Sequence, residues 1–182
     1  MERATRTNEG KPSGGTEAQA KDVCLRLLTD RARSRAELAQ SLAKKGYTPD
    51  IAERTLDRLA HVGLIDDASF AEQWVHSRHT YSGKGKQALA LELRRKGIEQ
   101  DIASQALSQI SRDDEHERAT ELVRRKLRTL AVPADPAERD KIVRRLVGML
   151  ARRGYGQSLA FGVVKAELDH AGSDTDDLLD GD

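Results

Sequence analysis

Basic side chains are the most extensive chemical feature of this sequence, and they gather where predicted helices end. Two or three bases stand directly before each of three glycines, Gly46, Gly97 and Gly154. A cation in the last helical turn stabilises the helix dipole by about 0.3–1 kcal/mol, which explains one or two bases at each end. Further bases lie outside those turns, and this surplus predicts a basic surface for an acidic partner such as nucleic acid or a nucleoprotein. The predicted partner-binding residues are Lys84, Lys86, Arg94, Arg95, Lys96, Arg124, Arg125, Arg144, Arg145, Arg152 and Arg153.

Three other groups of residues could do chemistry, but each has a simpler structural explanation. The Gly-Lys-Gly-Lys stretch at 83–86 lacks the spacing of a phosphate loop and follows no predicted strand, which favours a flexible connection. His76 and His79 could share a metal ion, yet no further ligand stands at a matching spacing. Asp66 and Asp67 are better placed to start a helix than to act as a catalytic pair. We therefore predict no catalytic residues, no metal and no cofactor.

A single apolar stripe places the chain's one tryptophan in a predicted helix. Phe70, Trp74 and the stem of Arg78 are four residues apart, with Ala71 and Val75 beside them, as one face of a helix requires. Trp74 could stack on a nucleic-acid base, but its place on the stripe favours a position in the core.

A repeated pattern sets the organisation of the chain. Six apolar positions and one glycine align without gaps in three segments, at offsets of 51 and then 57 residues, with the glycines at 46, 97 and 154. A glycine after the last periodic residue adopts the left-handed conformation that ends a helix. The pattern predicts three copies of one helical unit, joined in series into an elongated, curved array.

Local signals divide each unit into three helices, giving an all-α fold. Ser34 to Glu37 is a capping box, while Thr48-Pro49 and Asp135-Pro136 each place proline just after an N-cap. Ser111 to Asp114 is a further start signal. The predicted organisation is a disordered arm at 1–16, units at 17–65, 66–112 and 113–172, and an acidic disordered tail at 173–182.

The composition supports an array of small helical units and gives no sign of a membrane-spanning segment. Hydrophobic residues make up 37% of the 182 residues and charged residues 34%. No run is long and apolar enough to cross a bilayer, so we predict a cytoplasmic protein, which we expect to be a monomer. Cys24 lies among aliphatic residues and is predicted to be a buried, unreactive thiol. The tail holds five Asp and no base, and residues 20–172 carry six more bases than acids.

The middle of the chain resembles the signature of the RecX regulatory proteins. The matching residues are Gly63-Leu64-Ile65-Asp66-Asp67, Phe70-Ala71, Trp74-Val75, Arg78, Gly83-Lys84-Gly85 and Glu92 to Ile98. The resemblance covers about residues 21–168. It implies three tandem three-helix units and a regulator that binds the RecA recombinase and its filament on single-stranded DNA, inhibiting filament extension, strand exchange and co-protease activity. It implies no catalysis, and we assign Gly63, Asp66, Asp67, Phe70, Trp74 and Gly97 to the fold.

A second interpretation is a nucleic-acid-binding regulator built from helix-turn-helix-like units. Such a protein presents Asn, Gln or Arg to base edges from one exposed helix face. The third helices of the first two units, near 51–59 and 102–110, carry mixed acidic, basic and polar residues instead. This composition disfavours sequence-specific readout and leaves room for weak, non-specific DNA binding.

Overall fold

The structure is a computed structural model that describes residues 15–130, 133 and 135–177. These residues form nine α-helices and no strand, which confirms the all-α prediction. The helices are α1 (Glu17–Asp30), α2 (Arg35–Lys44), α3 (Pro49–His61), α4 (Asp67–Ser82), α5 (Lys86–Arg95), α6 (Gln100–Ser108), α7 (Arg112–Leu127), α8 (Pro136–Arg152) and α9 (Gln157–Asp177).

The chain divides into two compact units, and the boundary between them passes through α4. Among the described residues, unit 1 holds 15–70 together with 96–98, and unit 2 holds 71–95 and the residues from 99 onward. Unit 1 has a core of α1, α2 and α3 side chains, which includes Cys24 as a buried free thiol, as predicted. Burial raises the pKa of this thiol, because the thiolate is poorly solvated there. A core cluster of unit 2 is formed by side chains of α7, α8 and α9.

The predicted helix starts are confirmed where the capping signal is local. Ser34 and Ser111 each form a capping box with the residue three positions on, and Thr48 and Asp135 accept from the corresponding backbone N–H. These bonds satisfy amide groups that have no partner inside the helix. A further capping box at Thr16, which the sequence analysis missed, starts α1.

Two helices are longer than their periodicity predicts. α4 continues to Ser82, past the apolar stripe that ends at Arg78, because residues distant in sequence donate to the carbonyl groups at its end. α9 continues to Asp177, past the predicted end of the third unit at 172, and so includes the first five residues of the predicted acidic tail. The glycine at 172 is an insufficient stop, since an interior glycine costs a helix only about 1 kcal/mol relative to alanine. The rest of that tail, at 178–182, and the arm at 1–14 lie outside the described residues.

The glycine-ended helices have the predicted geometry. Gly46, Gly97 and Gly154 have φ values of 85°, 72° and 86°. The N–H of Gly46 donates to Ala43 O at 3.0 Å and the N–H of Tyr47 donates to Leu42 O at 3.2 Å. The same pair of bonds recurs at the third glycine, at 2.9 and 3.1 Å. This is the Schellman ending, which pairs carbonyl groups that the helix leaves free.

In each of the two compact units, the end of one glycine-ended helix packs against the start of the second helix of a repeat. That second helix is α2 in unit 1 and α5 in unit 2. In unit 1, Ser34 Oγ donates to Lys96 O at 2.6 Å, and a Cβ added to Gly97 would lie 2.3 Å from the Cβ of Ala36. In unit 2, Gly85 N donates to Arg153 O at 2.8 Å. A Cβ added to the glycine at 154 would lie 2.3 Å from the backbone nitrogen of residue 88. Both contacts therefore need a residue without a side chain.

Substitution by alanine at two of these glycines separates backbone strain from close packing. Gly46→Ala should cost about 1 kcal/mol of unfolding free energy, because alanine is strained at positive φ and nothing lies within 4 Å of the new Cβ. Gly97→Ala carries the same strain together with an overlap that costs a further roughly 1–3 kcal/mol. Urea unfolding followed by circular dichroism measures both. Equal losses of unfolding free energy in the two variants would show that the structure around Ala36 relaxes to accept the new Cβ, which would contradict the role assigned to close packing.

Candidate partner-binding surface

The bases two positions before the repeated glycines are free in all three repeats. Lys44, Arg95 and Arg152 are exposed and form no ion pair with any described residue. They stand at equivalent places, since they differ by 51 and then 57 residues. Arg94 is also exposed and unpaired within the described chain. Each of these side chains can give its full charge to a partner.

The bases one position before the glycines behave differently from one repeat to the next. Lys45 is exposed and unpaired among the described residues, at a helix end where nothing lies within 4 Å of a Cβ added to its glycine. Lys96 Nζ instead lies 2.6 Å from Glu37 Oε1, with its side chain 22% exposed. Arg153 Nη1 donates to Ser82 O at 2.7 Å. The packed helix ends therefore use this base internally.

Side chains from the last third of the chain satisfy the carbonyl groups at the end of α4. Besides Arg153, Arg118 Nη2 donates to Thr80 O at 2.5 Å and Tyr155 Oη donates to Gly83 O at 3.2 Å. Tyr155 is 1% exposed, and burial raises the pKa of its hydroxyl to about 12. These donors serve the C-terminal groups that a helix leaves unpaired. Two of the donors are basic residues, so part of the high local density of Arg has a structural role.

The carboxylate of Glu92 contacts both the partly buried Trp74 and the side chain of Lys84. Trp74 Nε1 donates to Glu92 Oε2 at 2.9 Å, and Lys84 Nζ lies 3.4 Å from the other carboxylate oxygen. The Arg78 guanidinium carbon lies 4.6 Å from the Trp74 ring centroid, a cation–π contact. Phe70, one turn earlier, is buried as predicted, whereas Trp74 is only partly buried. Lys84 is thus also engaged within unit 2.

The remaining predicted bases lie at the start of α5 and on helices α7 and α8. Arg124 forms a bidentate pair with Glu167, at 2.7 and 3.0 Å, which raises its pKa. Lys86 is partly buried, and its backbone N–H donates to Glu115 Oε1 at 2.9 Å. From α7 to its C-cap residue Arg128, and along α8, the exposed Arg and Lys residues that form no ion pair with a described residue are Arg112, Arg125, Arg128, Arg144, Arg145 and Arg152.

The two aspartates of the middle stretch have separate structural roles. Asp66 Oδ1 accepts from Ser69 N at 2.9 Å and caps its own helix, as predicted. Asp67 Oδ1 accepts from Arg35 N at 2.8 Å and thereby caps α2, a partner 32 residues away. Gly63 has a φ of 73° in the turn after α3. Both carboxylates are thus engaged as helix caps.

Glu37 is the carboxylate that holds Lys96 in unit 1. It also pairs with Arg31 at 3.0 Å and closes the capping box of α2. Burial by itself would raise the pKa of Glu37, but hydrogen bonds from Arg31, Lys96 and the Ser34 N–H more than offset this and lower it to about 2. The carboxylate is therefore ionised at any pH near neutrality.

Within 15–130 and 135–171, no three His, Cys, Asp or Glu side chains are grouped so as to hold a metal ion. None of the described helices combines the length and the apolar character needed to cross a membrane.

Comparison with known proteins identifies close relatives over most of the chain. A family model described as "RecX, first three-helix domain" matches residues 20–59, and one described as "RecX, second three-helix domain" matches 66–107. The Regulatory protein RecX of Mycolicibacterium smegmatis is 58% identical over 152 residues, which cover 84% of this chain and 81% of the relative. The protein of the same name from Mycobacterium tuberculosis is 55% identical over 152 residues, covering 84% and 87% of the two chains.

Solved structures share the fold at lower sequence identity. The crystal structure of RecX from Lactobacillus salivarius superposes with a TM-score of 0.71 at 21% identity, covering 84% of this chain and 96% of that one. A second crystal structure, of a regulatory protein RecX, gives a TM-score of 0.68 at 23% identity, covering 82% and 71%.

Acid should weaken the Glu37 contact, and Glu37→Gln tests this. The folded-state pKa lies below the ordinary value of 4.5, so the carboxylate stabilises the fold above pH 4.5 and loses that contribution as pH falls toward 2. At pH 7 the variant should lose about 1–3 kcal/mol of unfolding free energy, and the difference from the natural chain should shrink below pH 4.5. Urea unfolding at pH 7 and pH 3 gives the comparison.

Glu53→Gln is the matched control. Glu53 pairs with Arg35 at 2.7 Å but its side chain is 64% exposed, so its loss should cost less than about 1 kcal/mol. A pH-independent loss in the Glu37 variant would contradict the role assigned to its charge.

Proposed function

Because the chain belongs to the RecX family of regulatory proteins, we propose that it binds the RecA recombinase and its filament on single-stranded DNA. Binding inhibits filament extension, and with it strand exchange and co-protease activity. The protein thereby modulates recombinational repair and the SOS response. It acts in the cytoplasm as a non-enzymatic, monomeric regulator without a cofactor.

The observation that supports this proposal best is the repetition of free bases at equivalent helix ends. Lys44, Arg95 and Arg152 keep their charge unpaired within the described residues, although neighbouring bases are used internally. A nucleoprotein filament is itself a repeating acidic surface. Several weak contacts carried by one chain reinforce one another, since each bound contact raises the effective concentration of the next. No single strong site is then required.

Direct reading of DNA sequence receives less support. In α3, the third helix of the first repeat, Arg54 and Arg58 both pair with Glu17, at 3.1 and 2.8 Å, and Arg54 also pairs with Asp50. Both guanidinium groups stay exposed, but their acidic partners reduce the charge that they offer to base edges. The free bases fit the phosphate backbone better, which is consistent with weak, non-specific DNA binding as a secondary property.

Charge reversal at one helix end tests the proposed surface. Arg94→Glu with Arg95→Glu should raise the concentration that half-inhibits RecA filament extension about tenfold or more, because two attractive contacts become repulsive. The assay follows extension on single-stranded DNA at a concentration of regulator well below that of recombinase. Residue 96 is left unchanged, since its side chain holds Glu37.

Lys44→Glu with Lys45→Glu is the matched variant, because it reverses two exposed bases at the equivalent end of α2. We expect a smaller effect from it, since Lys44 and Lys45 belong to the first repeat, whereas the α5 end lies in the middle repeat of the sequence. Circular dichroism verifies that both variants remain helical. If a folded Arg94/Arg95 variant inhibits fully, these bases only stabilise the helix dipole and do not contribute to binding the filament.

A further inference from the structure

A groove on unit 1 is lined by none of the bases at the glycine-ended helices. It is formed by the first turns of α1 and the second half of α3, and encloses about 320 Å³. This volume is within the range of side-chain and small-ligand pockets. Its lining includes Lys21, Thr55, Arg58, Val62 and Leu64.

The rim of the groove exposes aliphatic side chains. Val62 is 64% exposed and Leu64 is 49% exposed, on either side of the Gly63 turn. Across the described residues only five large apolar side chains are exposed, and two of them lie here. Exposed aliphatic surface beside a concave site is typical of a protein-binding position.

The groove also contains a polar atom that lacks a partner. Thr55 is 3% exposed, and its Oγ1 makes no hydrogen bond with any described residue. A buried hydroxyl without a partner is unfavourable, so a ligand that supplies an acceptor would be favoured there.

The charges at the groove favour an acidic ligand. The lining holds two bases, Lys21 and Arg58, and one acid, Glu17. Glu17 is already bridged by Arg54 and Arg58, whereas Lys21 is exposed and forms no ion pair within the described chain. A carboxylate on the ligand would meet Lys21 and could accept from the Thr55 hydroxyl.

We propose that this groove binds an acidic protein segment that inserts an aliphatic side chain between Val62 and Leu64 and accepts a hydrogen bond from Thr55. The inference rests on the proposed function, because the segment belongs to the recombinase partner. It adds a short-range protein contact on unit 1 to the free bases of the helix ends.

The test compares two leucines that are about equally exposed. Leu64→Ser should weaken binding of the full chain to the recombinase without DNA at least about tenfold, since an apolar contact is replaced by a hydroxyl. Leu91→Ser is the control, because Leu91 is 46% exposed on α5 and lies outside the groove. Fluorescence anisotropy of labelled regulator measures binding, and filament extension measures inhibition in parallel.

Thr55→Val distinguishes ligand recognition from a structural role. Valine removes the unpaired hydroxyl at nearly the same volume, so the melting temperature should stay the same or rise, while recombinase binding should fall at least about threefold. A merely structural hydroxyl would leave binding unchanged.

The outcomes separate this inference from the proposed function. If the natural chain neither binds the recombinase nor inhibits extension, the proposed function is wrong and the inference falls with it. If the natural chain binds but Leu64→Ser binds as well as Leu91→Ser, or Thr55→Val binds unchanged, the groove proposal alone is overturned. Equal weakening of binding to single-stranded DNA alone by Leu64→Ser would also overturn it, because the groove would then contact DNA instead of protein.

Discussion

The close approach of a glycine-ended helix to the start of a middle helix is the constraint on which much of this structure depends. A carbonyl one residue before the glycine accepts a hydrogen bond from position 34 in one unit and from position 85 in the other, and these positions are equivalent in the repeat. One donor is a serine hydroxyl and the other a backbone N–H, so the geometry is kept while the chemistry changes. The glycine allows the backbones to meet, and its positive φ ends the helix at the same residue.

This packing also determines which basic residues form internal hydrogen bonds and which stay in solvent, according to their position before the glycine. The base adjacent to the glycine is partly buried at the contact, where an unpaired charge would be unfavourable, and Lys96 and Arg153 have internal acceptors. The preceding base, Arg95 or Arg152, is one helical step further round and stays in solvent. The first repeat lacks the contact at its glycine, and both Lys44 and Lys45 stay free among the described residues. A single basic motif thus provides structural bonds and surface charge together.

The sequence predicts best what depends on three or four neighbouring residues. Caps such as Ser34 and Asp135, and the glycine endings, depend on hydrogen bonds within one turn, and the structure confirms these predictions. The extension of α4 depends on Arg118 and Arg153, which lie 38 and 71 residues from their acceptors. The division of the bases depends likewise on distant carboxylates, since Glu37 is 59 residues from Lys96. Charge can be read from a sequence, but the partner that neutralises it is fixed only by the fold.

Free bases and an apolar groove would contribute to recognition at different ranges. Charges attract an acidic filament over roughly a Debye length of 8–10 Å, and they do so for protein and phosphate alike. This favours rapid association with little selectivity. Burial of an aliphatic side chain acts only at contact and requires a complementary shape, so it slows dissociation from the correct partner. A regulator that must choose a recombinase filament over bare DNA needs the second kind of contact, because the first cannot distinguish the two.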